Sequence, residues 1–196
     1  VANYSDLASL KQYMTSGGTP LPIDADDDGL LTSFIETASR YIDDATDRTF
    51  YARTETHLFN ATGSRELWMD DDLLTVTTLT NGNGDLILPA DYLLLPLGTY
   101  PKYAIRLKML STLYWSWDSS GNTEAVISVL GTWGYSATPS RDIATLTMAL
   151  AHNLYKARFG EGVEGAARVT AAGVVITPGD IPKWGQKVLE RYRRLV

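Results

Sequence analysis

The spacing of apolar residues changes period twice along this chain, and that double switch constrains the fold more than any other feature. Leu7, Leu10, Tyr13 and Met14 recur at helical spacing after a start signal at Asn3 and Asp6, and Gly17-Gly18 stops them. Beyond Thr19-Pro20-Leu21-Pro22, the stripe Leu30, Leu31, Phe34, Ile35, Ala38, Tyr41, Ile42 and Ala45 predicts a long second helix over Asp26 to Arg48. From Phe50 to about Ala137 the helical period disappears. Glu55 to Phe59, Glu66 to Met69, Leu73 to Thr80, Leu86 to Leu88, Tyr92 to Leu95, Ala104 to Met109 and Ala125 to Trp133 are short runs rich in Val, Ile, Thr and aromatics, parted by Gly, Asn, Asp and Pro. Asn81-Gly82-Asn83-Gly84 predicts a hairpin, read as a primed turn with positive φ at its central residues.

Helical spacing returns with Ile143, Leu146, Leu150, Ala151, Leu154, Tyr155 and Arg158, between Pro139-Ser140 and Gly160. A last helix follows, capped by Asp180 with Pro182 in its first turn, and Ile181, Trp184, Val188 and Tyr192 are expected on its buried face. The fold class is α+β, a helical bundle built by N- and C-terminal helices with an inserted antiparallel β unit. The expected divisions are 1–50, 51–137 and 138–196, the last carrying a mobile Gly- and Ala-rich loop at 160–179 with at most a short strand around Val174-Val175-Ile176. Phe34 and Trp184 belong to one helical core in this reading.

A chain of 196 residues fits one domain, or one domain with an insertion, at about 150 residues per domain. Its 44% hydrophobic and 20% charged content lets it bury a core, and no apolar run approaches the about 18 residues of a membrane span. The opening Val1-Ala2-Asn3-Tyr4-Ser5-Asp6 has neither the basic nor the apolar region of a secretion signal, so a soluble protein with no secretory route and no membrane partner is expected. The net charge of -6 disfavours a broad phosphate-gripping surface. Charge is also polarised: residues 1–50 hold 3 basic and 9 acidic side chains, whereas residues 181–196 hold 5 basic and 1 acidic. Such asymmetry points to a partner surface. With no cysteine, disulfides, thiolate metal sites and a cysteine nucleophile are excluded.

The sequence offers no catalytic motif and implies no cofactor. His57 and His152 stand alone, outside any zinc-ligand spacing, and read as packing or surface residues. Asp24, Asp26, Asp28 and Gly29 match positions 1, 3, 5 and 6 of a calcium loop, but position 12, which needs a bidentate Glu, is Ile35. These carboxylates read instead as charge at the positive end of the second helix. Asp70-Asp71-Asp72, a candidate magnesium site, reads as a solvated turn at a strand edge. Trp115 and Trp117 alternate with period two, so their indoles are expected to share one sheet face as a platform for a subunit interface or for sugar stacking.

Several stretches taken in order resemble the head-to-tail connector proteins of tailed double-stranded-DNA phages and prophages, also called portal adaptor or head-completion proteins. They are Asp26 to Leu31 continuing through Ala38 to Phe50 with its Arg48-Thr49-Phe50 step, Leu67 to Thr80 followed by Asp91 to Pro96, and Gly131 to Tyr135 leading into Leu150-Ala151 and Leu154 to Arg158. The resemblance is to the longer, β-containing members and covers most of the chain. It implies a homo-oligomeric ring, commonly twelvefold, in the virion neck between the portal protein and the tail or stopper protein. Genomic DNA passes through its lumen without sequence-specific binding, and the subunit is made in the bacterial host cytoplasm. An acidic wall suits such a conduit, because it repels phosphates.

Within that frame the basic tail becomes a docking candidate: Lys183, Lys187, Arg191, Arg193 and Arg194 to meet an acidic portal surface, with Tyr192 and Leu195 supplying burial. Cations near a helix C-terminus also complement its dipole, but Lys183 stands at the wrong end for that. The alternative is a β-sandwich module that binds carbohydrate or protein through Trp115 and Trp117.

Overall fold

At both ends of the chain the apolar stripes become helices. The computed structural model describes residues 2–16, 27–159, 168–170, 173–175 and 181–194. The chain divides into two units, Val1–Arg48 with Pro139–Val196, and Thr49–Thr138. The architecture is α+β, with N- and C-terminal helices flanking an inserted antiparallel sheet.

The first unit holds α1 (Leu7–Thr15), α2 (Asp28–Thr46), α3 (Arg141–Phe159) and α4 (Lys183–Tyr192). Two short strands, β6 (Arg168–Thr170) and β7 (Gly173–Val175), pair antiparallel inside the segment expected to be a loop; the rest of 160–179 lies outside the described residues. Helix α1 starts later than expected. Its cap is Asp6, whose carboxylate accepts from the Ser9 N–H at 2.8 Å and from Ser9 Oγ, and these bonds hold the carboxyl below its ordinary value. Asn3 cannot open the helix because its neighbours are committed elsewhere: Tyr4 is buried and donates its N–H to Ser39 Oγ at 3.1 Å, and Arg40 Nη2 donates to the Ala2 carbonyl at 2.9 Å.

Helix α2 buries Leu31, Phe34, Ile35, Ala38 and Ile42 of the predicted stripe, leaves its Leu30, Tyr41 and Ala45 half-buried, and ends at Asp47 in the left-handed region at φ 52°. Its buried hydroxyls return their hydrogen bonds to the helix, Ser39 to Ile35 O and Thr46 to Ile42 O. Helix α3 contributes Ile143, Leu146, Leu150, Ala151 and Leu154 to the same core.

Helix α4 meets that core on a face that is only partly the one expected: Ile181 and Val188 are buried as read, Tyr192 is half-buried, and Trp184 is turned out. Gly185, Val188 and Leu189 are buried, while Trp184 is 42% exposed. The cause is Gly185: a Cβ there would stand 2.6 Å from Leu146 Cδ1, so α4 approaches α3 closely at this point. Trp184, one residue and about 100° away around the helix, is turned outward. The N-cap is Pro182; Asp180 lies outside the described residues.

The second unit is one five-stranded antiparallel sheet of β1 (Arg53–Phe59), β2 (Glu66–Thr80), β3 (Tyr92–Leu95), β4 (Lys102–Leu107) and β5 (Ile127–Trp133), in the order β1-β5-β2-β4-β3. One core collects Phe59, Leu67, Leu73, Ile105, Trp115, Ile127 and Trp133. A single sheet is not a sandwich, which removes the architecture of the alternative module.

The two runs expected on either side of Asp70-Asp71-Asp72 are one continuous central strand. β2 pairs with β4 through Glu66, Leu67, Trp68 and Leu73 along one edge, and with β5 from Leu73 to Thr80 along the other. The acidic run is therefore an irregular stretch within a long strand, where the register opposite β4 shifts between Trp68 and Leu73, and it is no edge turn. Asp72 is buried, its carbonyl accepting from Gly134 N–H at 2.7 Å.

The Asn81–Gly84 reversal is present, but positive φ falls on Gly84 alone, the pattern of a three-residue loop closed by a left-handed glycine. The Leu86 to Leu88 run returns to β2 through one bridge, Leu86 to Thr80.

Candidate docking surface

Helix α4 presents Lys183, Lys187 and Arg191 to solvent at successive intervals of four residues, which places them along one side. Trp184 flanks this row and borders an open depression lined by Arg141, Asp142 and Thr145 of α3. A large indole beside several cations is the composition that anchors protein interfaces, since aromatic and arginine side chains carry most of their energy.

The row is held in place by Asp142, which the sequence reading missed. Ser140 Oγ and Tyr192 Oη donate to its carboxylate, Tyr192 at 3.2 Å, and Arg191 Nη1 lies 3.5 Å from Oδ2. Burial works to raise the Asp142 carboxyl, yet the bonds from Ser140, Tyr192 and the Ile143 N–H together outweigh it and hold it below the ordinary value. It stays charged at neutral pH and ties the end of α4 to the start of α3. The sequence signals were there: Ser140 two residues before Asp142 at a helix start, and a glycine inside the α4 pattern.

The docking candidates thus separate into groups. Lys183, Lys187 and Arg193 are exposed. Arg191 and Tyr192 are also engaged with Asp142 inside the unit, and the Arg194 N–H donates to the Thr46 carbonyl at 2.9 Å, closing the C-terminal end of α2. Leu195 lies outside the described residues.

The indole platform does not form. Trp115 is 0% exposed while Trp117 is 56% exposed, and neither residue lies in a strand, so no alternation places them on one face. Trp115 is held inward by backbone bonds on both sides, its N–H to Ser64 O at 3.1 Å and its carbonyl from Gly63 N–H at 3.0 Å.

Of the calcium-loop carboxylates, Asp24 and Asp26 lie outside the described residues, and Asp28 pairs with Lys11. Among the described residues no three His, Asp or Glu side chains gather as a metal site. Asp71 pairs with Arg53, and Asp70 lies 3.3 Å from His57 Nδ1. His57 stacks on Trp133 with ring centroids 3.9 Å apart.

His152 packs edge-on against Tyr13 at 5.9 Å, with Lys156 one turn along α3. Burial first, and the Lys156 charge second, push its pKa below the ordinary 6.5. The unfolded chain then binds this proton more readily than the folded one. Its contribution is constant above pH 6.5 and is lost as pH falls through the depressed value. Denaturation midpoints compared at pH 7.5 and 5.5 should therefore drop less for His152→Gln than for the parent; equal drops would show that this proton is not linked to folding.

Among solved structures, the chain is similar to a chain in the neck of an empty GTA particle computed with C6 symmetry, with TM-score 0.59 at 17% identity, covering 98% of this chain and 91% of that one. It is likewise similar to a chain in the virion of a native gene transfer agent (GTA) particle, with TM-score 0.61 at 19% identity over 98% and 91%. The fold is shared with these particle proteins. No protein-family model and no curated sequence matches the chain. Since nearly the whole chain aligns in both cases, the likeness takes in the helical ends and the inserted sheet alike.

Proposed function

We propose that this chain is a structural, non-enzymatic connector at the head-tail junction of a tailed, phage-like particle, where copies form a ring between portal and tail or stopper. The observation that carries this reading is the fold shared over 98% of the chain with a chain of a GTA particle neck. The motifs that resemble phage connectors are an independent support. The proposed ring is twelvefold, and such a ring is unchanged by the sixfold rotation of that neck. Genomic DNA passes through its lumen. The net charge of -6 per copy, multiplied around the ring, favours sliding over gripping. Subunits are made in the bacterial host cytoplasm and end in the virion neck.

In this reading the exposed side of α4 docks on an acidic portal surface, Lys183, Lys187 and Arg193 steering the encounter and Trp184 supplying the anchor. Reversing those three cations to Glu leaves the Arg191-Asp142 contact and the Arg194 backbone bond intact. The variant should keep its thermal midpoint and bind portal roughly tenfold or more weakly at moderate salt. Trp184→Ala should weaken binding by about 2 kcal/mol. Particles made with the triple variant should be filled heads lacking tails or leaking DNA. Unchanged co-sedimentation of both variants with portal would move the docking site elsewhere, and absence of the chain from purified necks would refute the connector role.

A further inference from the structure

The chain holds six asparagines, and the two that precede a glycine, Asn81 and Asn83, lie in the same reversal. The following glycine matters chemically. The backbone nitrogen after an asparagine can attack the side-chain amide carbon, and a glycine shields that nitrogen least because it has no Cβ. The structure gives the two side chains opposite surroundings. Asn83 is exposed at the tip, its Oδ1 accepting from the Asp85 N–H at 3.2 Å and its Nδ2 donating to Asp85 Oδ2 at 2.6 Å. Beside it, Gly84 has open space where a Cβ would stand, and its N–H donates to the Asn81 carbonyl at 2.9 Å. A single bond at an exposed loop tip opens at low cost.

Asn81 is 3% exposed. The Gly82 N–H already points at its Oδ1, at 3.0 Å, but the amide is pinned on both sides: Nδ2 donates to Tyr114 O at 2.8 Å, and Oδ1 also accepts from the Ser116 N–H at 3.0 Å. Those two bonds carry the segment that buries Trp115, so a reaction at Asn81 has to lift that segment first. Asn122 completes the comparison. It is exposed and repeats the Asn83 arrangement, its Oδ1 accepting from the N–H two residues on, that of Glu124, at 3.0 Å. Its next residue is Thr123, whose branched Cβ crowds the nitrogen.

We infer that Asn83 is a site of spontaneous deamidation and that the fold protects Asn81, its neighbour in the same reversal. A solvent base takes the Gly84 N–H proton, the nitrogen attacks Asn83 Cγ, and the N–Cγ bond forms. Negative charge gathers on Oδ1, where the Asp85 N–H is already placed to receive it. The Cγ–Nδ2 bond then breaks, and Nδ2 leaves as ammonia with a proton from water. A water molecule opens the resulting cyclic imide at either carbonyl, which leaves an aspartyl or an isoaspartyl residue. The sum is amide plus water giving carboxylate plus ammonium, with nothing oxidised or reduced. In the aspartyl product a carboxylate faces Asp85 where the Nδ2 donor stood.

The test is to age the full-length folded chain in mildly alkaline buffer and to locate converted residues by tandem mass spectrometry, with isoaspartate labelled by a protein isoaspartyl methyltransferase. Asn83 should convert roughly tenfold or more faster than Asn81, whose reaction waits on a larger opening, and faster than Asn122. The methyl label should appear at residue 83 and vanish in Asn83→Gln, whose longer side chain needs a larger ring. In denaturant Asn81 should rise to the rate of Asn83 while Asn122 stays slow. Asn83 converting no faster than Asn122 in the folded chain would overturn the site. Asn81 keeping pace with Asn83 in the folded chain, or staying slow in denaturant, would overturn the protection by the fold. Conversion at Asn83 without any isoaspartate would overturn the attack by Gly84. All of these readouts concern the isolated chain, so the connector role stands or falls separately.

Discussion

Replacing Phe34 with alanine should cost about 3–5 kcal/mol of stability, the range for truncating a buried aromatic. Phe34 is 2% exposed on the inner side of α2, in the core shared with α3. Chemical denaturation of the variant measures the loss directly, and a midpoint equal to the parent's would mean that α2 is not packed as described. Trp184→Ala makes the control. Its indole sits beside an open depression, so its truncation should change stability by less than about 1 kcal/mol, in the range of surface substitutions, while weakening the proposed portal docking. The pair separates residues that hold the fold from residues that serve a partner.

The second large effect is expected at the Asn81-Gly82 turn. A Cβ on Gly82 would stand 2.0 Å from the Ser116 carbonyl oxygen and 2.8 Å from Val126 Cγ2, and a backbone oxygen cannot swing aside as a side-chain tip can. Asn81 locks the same segment from beside it: its Nδ2 donates to Tyr114 O at 2.8 Å, and its Oδ1 accepts from Ser116 N–H at 3.0 Å. Between those two anchors lies Trp115, wholly buried. Gly82→Ala should push the segment off the sheet and lose about 3 kcal/mol, combining overpacking with partial loss of the Trp115 burial. Hydrogen exchange across residues 113–117 should rise sharply in this variant. Gly84→Ala, which strains only a positive φ in open space, should cost about 1 kcal/mol and leave that exchange slow. If the two variants behave alike, the close approach at Gly82 does not govern the insertion of Trp115.

Local rules read from the sequence alone were enough for the element types and their order. Helical period at both ends, strand composition between them and the Asn-Gly reversal are properties of neighbouring residues, so α2 and α3 and most strands appeared close to their positions. The polarity of charge was equally plain, and with it the basic face of α4.

What escaped the sequence depended on residues far apart in the chain. Whether Trp184 points in or out is decided by Gly185 meeting Leu146, some forty residues earlier. Whether Trp115 and Trp117 form a platform is decided by Ser64, Gly63 and Asn81, which draw one indole into the core and leave the other in water. Asp70 to Asp72 read as a turn because acidic runs favour water, yet pairing with β4 along one edge and β5 along the other carries one long strand through them. Period and composition describe which surface a segment could bury. Only the tertiary contacts, through close approach of backbones and the need to satisfy buried polar groups, select which surface is buried.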